Sequence, residues 1–336
     1  MPECRLKPEI EGVGMGANGE DTNLSLLLAS ALAAFFAAYL FLPWLIRSLH
    51  GTSLVGKDLN KSDRPLVPEM GGLGVILGFY VGVGVLVIGT SNEVPSSFYY
   101  ASLVATLGAG TVGLMDDMFG LRRRMKALLP FLLAFPLGAA VNASGDTMIL
   151  GVDFGLLTVI LIPLGITSAA NAANMLEGFN GLGAGMGVIM CFALIGLAFI
   201  TGETQGLYLI IPLLGALLAF LWFNKYPARV FPGDSMTLFM GAAIAAAAII
   251  SKQKMFGALL FLPMIVEFAL KFRGGLQAEN YGTPDGDGRL RYEGPVESLT
   301  HIIMRRYSLK EWQVVGALWA IEVALACAIL LAAVIS

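Results

Sequence analysis

Apolar segments of about 20 residues recur along almost the whole of this 336-residue chain, and this recurrence restricts the fold more than any other feature. An apolar run of roughly that length is what an α-helix needs to cross the hydrocarbon core of a bilayer. Only 13% of the residues are charged and 57% are hydrophobic, whereas roughly 25% of the residues in an ordinary soluble domain are charged. We therefore expect an all-α, polytopic membrane protein.

Breaks between the apolar runs predict about ten transmembrane helices. A polar tail at 1–22 precedes a single ten-helix transmembrane domain at 23–336, in which a long loop at 273–312 comes before the last helix. The first apolar run is too long for the core of a signal peptide, so it is interpreted as a retained helix. The helices are expected at 23–48, 71–90, 97–115, 125–141, 156–174, 183–201, 206–223, 234–250, 256–272 and 313–335.

Lysines and arginines lie almost entirely in alternate connections between the predicted helices. Cytoplasmic loops of membrane proteins carry an excess of these residues, so we expect this set to be cytoplasmic and, because the number of helices is even, both termini to be external. The opposite set contains only Lys252 and Lys254, besides Arg5 and Lys7 in the tail. The cytoplasmic set is Arg47, Lys57, Lys61, Arg64, Arg122, Arg123, Arg124, Lys126, Lys225, Arg229, Lys271, Arg273, Arg289, Arg291, Arg305, Arg306 and Lys310.

Charge, cysteine and glycine patterns exclude several other classes of protein. The net charge of −3 does not provide the broad basic surface that a nucleic-acid partner needs. The three cysteines are far apart and have the spacing of neither a disulfide framework nor a metal site. The glycines from Gly181 to Gly187 superficially resemble a nucleotide-binding loop, but no strand precedes them. Close packing between helices is the favoured interpretation of these glycines.

Asp116 and Asp117 lie at the end of the third predicted helix and are followed by a basic run that ends at Lys126. Two carboxylates at a helix C-terminus oppose the helix dipole and call for a compensating cation. The basic run could supply it through exposed ion pairs. Alternatively, the pair belongs to a site for a divalent metal or a phosphate, because Mg²⁺ is typically bound by one or two carboxylates together with substrate phosphates. The pair alone leaves both interpretations open.

Three amides and a carboxylate occur within ten residues at the cytoplasmic end of the fifth predicted helix: Asn171, Asn174, Glu177 and Asn180. Asparagines in membrane helices often serve only as hydrogen-bonding contacts between helices. Four such groups exceed what that role usually needs. They could bind a metal ion or the edge of a base.

Further carboxylates on the same face have ordinary structural explanations. Asp234 precedes the eighth helix, as an N-cap aspartate would. Glu267 lies four residues before Lys271, as in a helical ion pair, although a carboxylate inside a membrane helix is also a functional candidate. Ser308 and Glu311 have the spacing of a capping box. Three polar clusters on one membrane face nevertheless predict a site there.

Carboxylates for Mg²⁺, basic side chains for phosphate and amides for a base or sugar are the groups that phosphoryl transfer requires. At membrane level, one substrate can be a soluble anion and the other a lipid. A secondary transporter is the competing class, but transporters bind near the midplane on repeated, discontinuous helices. Clustering at one surface without an obvious repeat favours the enzyme.

The segments GLMDDMFGLRRRMK, NAANMLEGFNGLGAG and FPGDSMTLFMGA resemble, in order and spacing, three signatures of the polyprenyl-phosphate N-acetylhexosamine-1-phosphate transferases. DLNKSDRPLVPEMGG resembles the first cytoplasmic loop of that family, so the likeness extends from about residue 57 to 310. The resemblance implies an integral membrane enzyme of ten helices with a cytoplasmic site. It implies transfer of a sugar-1-phosphate, here GlcNAc-1-phosphate, from a UDP-sugar to dolichyl or polyprenyl phosphate, with release of UMP. It also implies a Mg²⁺ cofactor, for which Mn²⁺ is an alternative.

The resemblance also implies roles for individual residues. Asp116 and Asp117 match the aspartate pair that acts as a base or organises charge for the lipid phosphate, and Lys126 matches the lysine that contacts substrate phosphate. Much of a phosphate monoester is already dianionic at pH 7, because its second pKa is about 6. We therefore hypothesise that the aspartates chiefly order Lys126 and the metal. The remaining matches are Asn174 and Asp234 for the metal, Asn180 and Phe231 for uracil, and Lys61 and Glu69 as supporting charges.

The last cytoplasmic loop leaves the choice of sugar open. Its THIIMRR segment matches neither the histidine cluster of the phospho-MurNAc-pentapeptide translocases nor the arginines around a histidine in the eukaryotic GlcNAc-1-phosphate transferases. The first loop leans toward the GlcNAc branch, and an archaeal enzyme that primes dolichol-linked glycan synthesis fits this mixture. A transferase for another UDP-sugar stays open, as does a homodimer. Further candidates for contacting the substrate are Glu267, His301, Arg305 and Arg306.

Overall fold

The computed structural model describes residues 17–90 and 97–335, and these form a helical bundle with three small antiparallel sheets. The predicted polar tail lies outside the described residues as far as residue 16, and the first helix begins at Ala17. The helices are α1 Ala17–Leu49, α2 Gly72–Gly89, α3 Ser97–Phe119, α4 Arg123–Leu133, α5 Phe135–Ala143, α6 Thr158–Leu176, α7 Leu182–Thr201, α8 Leu207–Asn224, α9 Gly233–Ile250, α10 Lys254–Leu260, α11 Leu262–Arg273, α12 Leu299–Arg306 and α13 Glu311–Ile335.

The prediction of about ten spans is confirmed. Within the described ranges, nine helical segments are long and apolar enough to cross a membrane, and α10 with α11 adds a tenth that is bent by 57°. That bend lies at Phe261, before Pro263. The fourth span is also interrupted, between α4 and α5, next to Pro130 and Pro136. Proline breaks these helices because it lacks the backbone N–H that continues the ladder of hydrogen bonds.

The connections contain short strands that the apolar pattern does not predict. The first long loop folds into a hairpin of β1 Val55–Lys57 and β2 Leu66–Pro68. A second hairpin pairs β3 Met148–Ile149 with β4 Val152–Asp153. The last long loop contains the three-stranded sheet β5 Thr283–Pro284, β6 Arg289–Arg291 and β7 Leu309–Lys310. The first and third of these sheets lie at the same end of the bundle, which we call the basic end because it bears the Lys- and Arg-rich connections.

Helix α9 lies at the centre of the bundle, where it packs against α3 and α6. Nearly all of its residues are buried, and many of them are alanine or glycine, so neighbouring helices can approach closely. The glycines of α7 play the same part. A Cβ at Gly185 would overlap the indole of Trp319 on α13. The helix-packing interpretation is therefore confirmed for Gly185 and, since a Cβ there would meet Met240 of α9, for Gly187.

Candidate active site

A polar cleft of about 250 Å³ opens at the basic end, where the first long loop, the α6–α7 connection and the α8–α9 connection meet. The predicted site residues that line it are Glu69, Asn174, Asn180, Phe231 and Asp234. They come from segments that are as much as 165 residues apart in sequence (69 to 234). Folding therefore brings three of the sequence motifs into one cavity.

Lys126 links its own motif, which begins with Asp116 and Asp117, to the motif of Asp234. Its ammonium lies 2.9 Å from Oδ2 of Asp116 and forms an ion pair with Asp234. The other oxygen of Asp116 accepts a hydrogen bond of 2.6 Å from the backbone N–H of Leu121. The third predicted helix extends four residues further than expected, to Phe119, so Asp116 lies in its last turn. This cluster of opposite charges joins α3, α4 and α9 beside the cleft.

Asp117 has a different part, because it caps the N-terminus of α9. Its two oxygens accept hydrogen bonds from the backbone N–H groups of Asp234, at 2.7 Å, and Ser235, at 3.1 Å. The prediction that Asp234 is itself the N-cap is wrong: the helix begins after Pro232, without a side-chain cap of its own. Gly233 has φ +68° and packs on the Asp117 carboxylate. Since Asp117 satisfies the backbone, the carboxylate of Asp234 is left to face Lys126 and the cleft.

Asn174 and Asn171 separate in the structure although they lie one turn apart on α6. The side-chain oxygen of Asn174 accepts a hydrogen bond of 3.0 Å from the Thr237 hydroxyl, and Asn174 lines the cleft beside Asp234. Asn171 donates instead to the Thr167 carbonyl within its own helix.

Within residues 17–90 and 97–335, no three His, Cys, Asp or Glu side chains are arranged to hold a metal ion.

A buried network links Asn180 to the first long loop and to α13. The Asn180 amide donates to Asp58 at 3.0 Å, and its backbone N–H donates to Glu311 at 2.8 Å. Lys61 forms ion pairs with both carboxylates. Its Nζ lies 3.2 Å from Oε2 of Glu311. Only 4% of Asp58 and 2% of Glu311 are exposed. The capping-box interpretation of Glu311 is therefore wrong, since its oxygens are committed to Asn180 and Lys61.

Asn224 is a buried residue that the sequence analysis missed. Its side-chain oxygen accepts a hydrogen bond from the Gly181 N–H at 3.0 Å, and its amide donates to the Val230 carbonyl at 2.9 Å. It thereby holds the α6–α7 connection against the segment that carries Phe231. The available signal was an amide directly after a predicted helix at the basic end.

Two carboxyl groups of the cleft have a pKa raised by burial. Burial raises the pKa of Glu69, and the charge of Asp117 raises it further. Glu177, which follows α6, is half-buried in the wall of the cleft, and burial raises its pKa to about 8. Glu177 belongs to the motif of Asn174 and Asn180 but is not among the predicted site residues. Both groups can accept hydrogen bonds as anions or donate them when protonated.

Glu267 lies outside the polar cleft. One of its oxygens accepts hydrogen bonds from the Ser298 hydroxyl at 3.0 Å and the Leu299 N–H at 2.8 Å, at the start of α12. The other oxygen lies 3.4 Å from the Lys271 ammonium, which is the helical ion pair expected from the spacing. These contacts attach the last long loop to α11. A role for Glu267 in binding substrate stays a prediction.

His301 is also buried away from the cleft. Its ring stacks on Tyr292, with 3.6 Å between the ring centroids. One ring nitrogen accepts from the Glu297 N–H and the other donates to the Glu279 carbonyl, an arrangement that requires the neutral imidazole. Burial lowers its pKa in accord with this. Arg305 and Arg306 are exposed on the same short helix, and their proposed contacts with substrate stay predictions.

An apolar groove of about 560 Å³ runs between α6, α9 and the bent pair α10–α11. It passes from Met175 at the basic end to Lys254 at the opposite end of these helices. Ala127, the neighbour of Lys126, also lines it. Because the groove extends along the bundle and begins next to the charged cluster, it can place an apolar chain beside the cleft.

Comparisons with known proteins agree with the motifs. A model of the family described as glycosyl transferase family 4 matches residues 99–252. A Saccharolobus solfataricus protein with the provisional name UDP-N-acetylglucosamine–dolichyl-phosphate N-acetylglucosaminephosphotransferase is 41% identical over 88% of this chain and 93% of its own length. A provisionally named glycosyltransferase of Methanocaldococcus jannaschii is 32% identical over 80% and 84%. The phospho-N-acetylmuramoyl-pentapeptide-transferase of Shouchella clausii is 33% identical over 70% and 77%.

The two archaeal relatives match nearly the full set of helices, and the family model spans the Asp116–Asp117, Asn174–Asn180 and Asp234 motifs. The chain therefore belongs to glycosyl transferase family 4, among the polyprenyl-phosphate N-acetylhexosamine-1-phosphate transferases that its motifs resemble.

Proposed function

We propose that this protein transfers GlcNAc-1-phosphate from UDP-GlcNAc to dolichyl or polyprenyl phosphate and releases UMP, which would be the first step of a lipid-linked glycan synthesis. The observation that carries the proposal is the juxtaposition of the polar cleft, the Lys126 cluster and the apolar groove. A transfer between a soluble nucleotide sugar and a lipid needs these three parts side by side. The name of the Saccharolobus relative supports this choice of donor and acceptor.

The acceptor lipid fits the apolar groove. Its volume is within the roughly 300–1,000 Å³ of ordinary ligand pockets, and its lining is almost wholly apolar. A prenyl chain that lies along it would bring its phosphate to the basic end. There Lys126 supplies a positive charge, and Asp116 holds the lysine in place at 2.9 Å.

The donor fits the polar cleft only in part, since about 250 Å³ is less than a typical pocket for a molecule of this size. Asn180 and Phe231 are the groups for uracil, an amide for hydrogen bonds and a ring for stacking. The diphosphate lies toward Asn174 and Asp234. The sugar then lies at the open mouth of the cleft, so contacts of the donor with the loops around the mouth would decide which sugar is accepted.

Mg²⁺, or Mn²⁺ in its place, fits the groups present. The Asp234 carboxylate and the Asn174 amide oxygen line the same cleft, and Mg²⁺ favours such oxygen ligands together with substrate phosphates. When bound, the ion would neutralise negative charge on the diphosphate and on the departing UMP. Asp117 contributes indirectly, because it holds the first turn of α9, which bears Asp234.

In the reaction, an oxygen of the lipid phosphate bonds to the β-phosphorus as that phosphorus loses its bond to the bridging oxygen, and UMP leaves with the electron pair. The nucleophile needs no base near pH 7, because the second pKa of a phosphate monoester is about 6. Asp116 therefore orients Lys126, and Lys126 draws the lipid phosphate to the site. Catalysis of this kind depends on position and charge neutralisation.

The cleft is proposed to face the cytoplasm. The connections at its end bear the Lys and Arg excess that marks cytoplasmic loops. With this orientation, both chain termini lie on the external side of the membrane. A cytoplasmic opening is also where a soluble nucleotide sugar is available. Labelling of single cysteines introduced at 63 and at 203, in intact cells and in inverted vesicles, tests this orientation.

The decisive experiment incubates the purified protein with Mg²⁺, dolichyl or undecaprenyl phosphate and a panel of UDP-sugars, and measures UMP release. We expect release with UDP-GlcNAc, and exchange of labelled UMP into UDP-GlcNAc in the reverse direction. Chelation with EDTA should stop both reactions. Absence of release with every sugar would refute the transferase, and release only with UDP-MurNAc-pentapeptide would refute the choice of sugar.

A further inference from the structure

The loop that follows α11 enters the polar cleft with one aromatic side chain, Tyr281. Nothing in the sequence motifs points to this residue, because the loop has no helical or strand periodicity. Its ring approaches the α6–α7 connection: a Cβ built on Gly178 would lie 3.5 Å from Cε1 of Tyr281. Tyr281 thus forms part of the wall next to the motif that contains Asn174 and Asn180.

The residue before Tyr281 is locked to the end of α6. The Asn280 amide donates to the carbonyls of Met175, at 3.0 Å, and Glu177, at 2.7 Å. The Asn280 carbonyl in turn accepts a hydrogen bond of 2.7 Å from the Thr300 hydroxyl. Asn280 is buried, with 3% of its surface exposed. These bonds fix the backbone just before the aromatic ring.

The residue after Tyr281 is locked to the first long loop. The Gly282 N–H donates to the side-chain oxygen of Asn60 at 3.2 Å, and the Asn60 amide donates to the Gly178 carbonyl at 3.0 Å. Two asparagines from different loops therefore hold Tyr281 from both sides. A backbone fixed in this way on both sides of Tyr281 reduces the entropy lost when a ligand binds against it.

The surroundings of Tyr281 indicate which part of the donor it meets. The carboxyl groups of Glu279, Glu177, Glu69 and Asp58 lie around it, and its pKa is raised first by burial and then by these groups. The phenol stays protonated at neutral pH as a result. The oxygens of these carboxyl groups can accept hydrogen bonds, so this part of the cleft is suited to the uncharged nucleoside, which has hydroxyl and N–H donors.

We propose that Tyr281 is a nucleoside-binding residue whose ring packs on the uridine of the UDP-sugar, as a second aromatic contact besides Phe231. Both rings line the same cleft, yet they come from different connections, the one after α8 and the one after α11. The inference rests on the proposed function and assigns one more residue to it. Aromatic rings are suited to this task because every base has a face on which to stack.

The test compares Tyr281→Ala with Tyr281→Phe in the full-length protein, by calorimetric titration with UDP-GlcNAc and, separately, with UMP. Removal of the ring should lower the affinity for both ligands alike, by roughly 5- to 150-fold, as for stacked bases elsewhere. Phenylalanine keeps the ring and should bind within about threefold of wild type by the same reasoning. Tyr307→Ala, an exposed tyrosine at the other end of the same long loop, is the matched control and should bind normally.

The outcomes separate this inference from the proposed function. Unchanged UMP binding by Tyr281→Ala would overturn the nucleoside contact, whether or not UDP-GlcNAc binding falls. An equal loss in Tyr281→Phe and Tyr281→Ala would overturn ring packing. In either case the wild type would still release UMP from UDP-GlcNAc, so the transferase would stand. Thermal unfolding of each variant in the same detergent identifies any loss that comes from misfolding.

Discussion

Replacement of Asp117 tests whether this residue organises the site or acts as a base. Its carboxylate accepts two backbone hydrogen bonds, of 2.7 and 3.1 Å, at the start of α9. Removal of such a cap costs about 0.5–2 kcal/mol, and hydrogen bonds to charged groups contribute about 1.5–3 kcal/mol each. Because α9 is packed on several other helices, we expect Asp117→Ala to destabilise the first turn of α9 by about 2 kcal/mol, or roughly 30-fold in equilibrium.

The effect on turnover follows from the position of Asp234. This residue lies in the turn that Asp117 holds, and a shift of about 1 Å in a reacting group can cost about 10²-fold in rate. We expect Asp117→Ala to lose roughly that much of kcat. Asp117→Asn keeps one oxygen acceptor for the Asp234 N–H, and should therefore lose only about tenfold by the same argument.

The assay measures UMP release at saturating lipid, together with thermal unfolding in detergent, for Asp117→Ala, Asp117→Asn and the exposed control Asp63→Asn. If Asp117 caps α9, the rate should fall in steps from wild type to Asp117→Asn to Asp117→Ala, in parallel with the loss of stability. A base would behave otherwise: asparagine would be as inactive as alanine while the protein stayed as stable as wild type. That result, or normal turnover by Asp117→Asn, would refute the reasoning.

Three further predictions concern the groups around the site. Glu311→Ala should destabilise the protein by about 3 kcal/mol, because it leaves Lys61 with one partner in a buried network. Glu311→Gln should lose less stability, and a Glu311→Ala variant with the unfolding midpoint of wild type would contradict the prediction. Since burial lowers the pKa of His301 below its usual 6.5, the unfolded chain binds more protons, so stability should fall as the pH drops below about 6.5, and His301→Gln should abolish that dependence. Ser168→Phe, at an exposed position of the lining, narrows the apolar groove and should raise KM for the lipid about tenfold, as ~1–2 kcal/mol of overpacking implies, without changing KM for UDP-GlcNAc; an unchanged lipid KM would place the acceptor elsewhere.

The helices could be predicted because their cause is local. A run of apolar residues enters the bilayer as a helix whatever it packs against, since every backbone group must be satisfied within the segment. The ten predicted spans accordingly match the structure to within a few residues at most ends. The break at Phe261, inside one predicted span, was not predicted, because the bend depends on how α10 and α11 pack.

Site residues divide in the same way. Asp116, Lys126 and Asp234 could be chosen from the sequence because charged groups at the end of a membrane helix are rare and need a partner, although their pairing across three helices was not visible. The structure places Glu267 and His301 instead in the support of the last loop. A carboxylate or an imidazole could serve either in substrate binding or in support of the loop, and only the neighbouring residues determine which role it has.

The roles of Tyr281, Asn224 and Glu311 could not be derived from the sequence, because they depend on contacts with residues far along the chain. The hydrophobic pattern by itself determined the number of spans, the face that bears the charges and the class of membrane protein. Tertiary structure alone decided that Asp117 caps α9, that Glu311 pairs with Lys61 and that Tyr281 enters the cleft. The physical reason is that insertion in a bilayer acts on each segment separately, whereas hydrogen bonds and ion pairs require two groups to meet at about 3 Å.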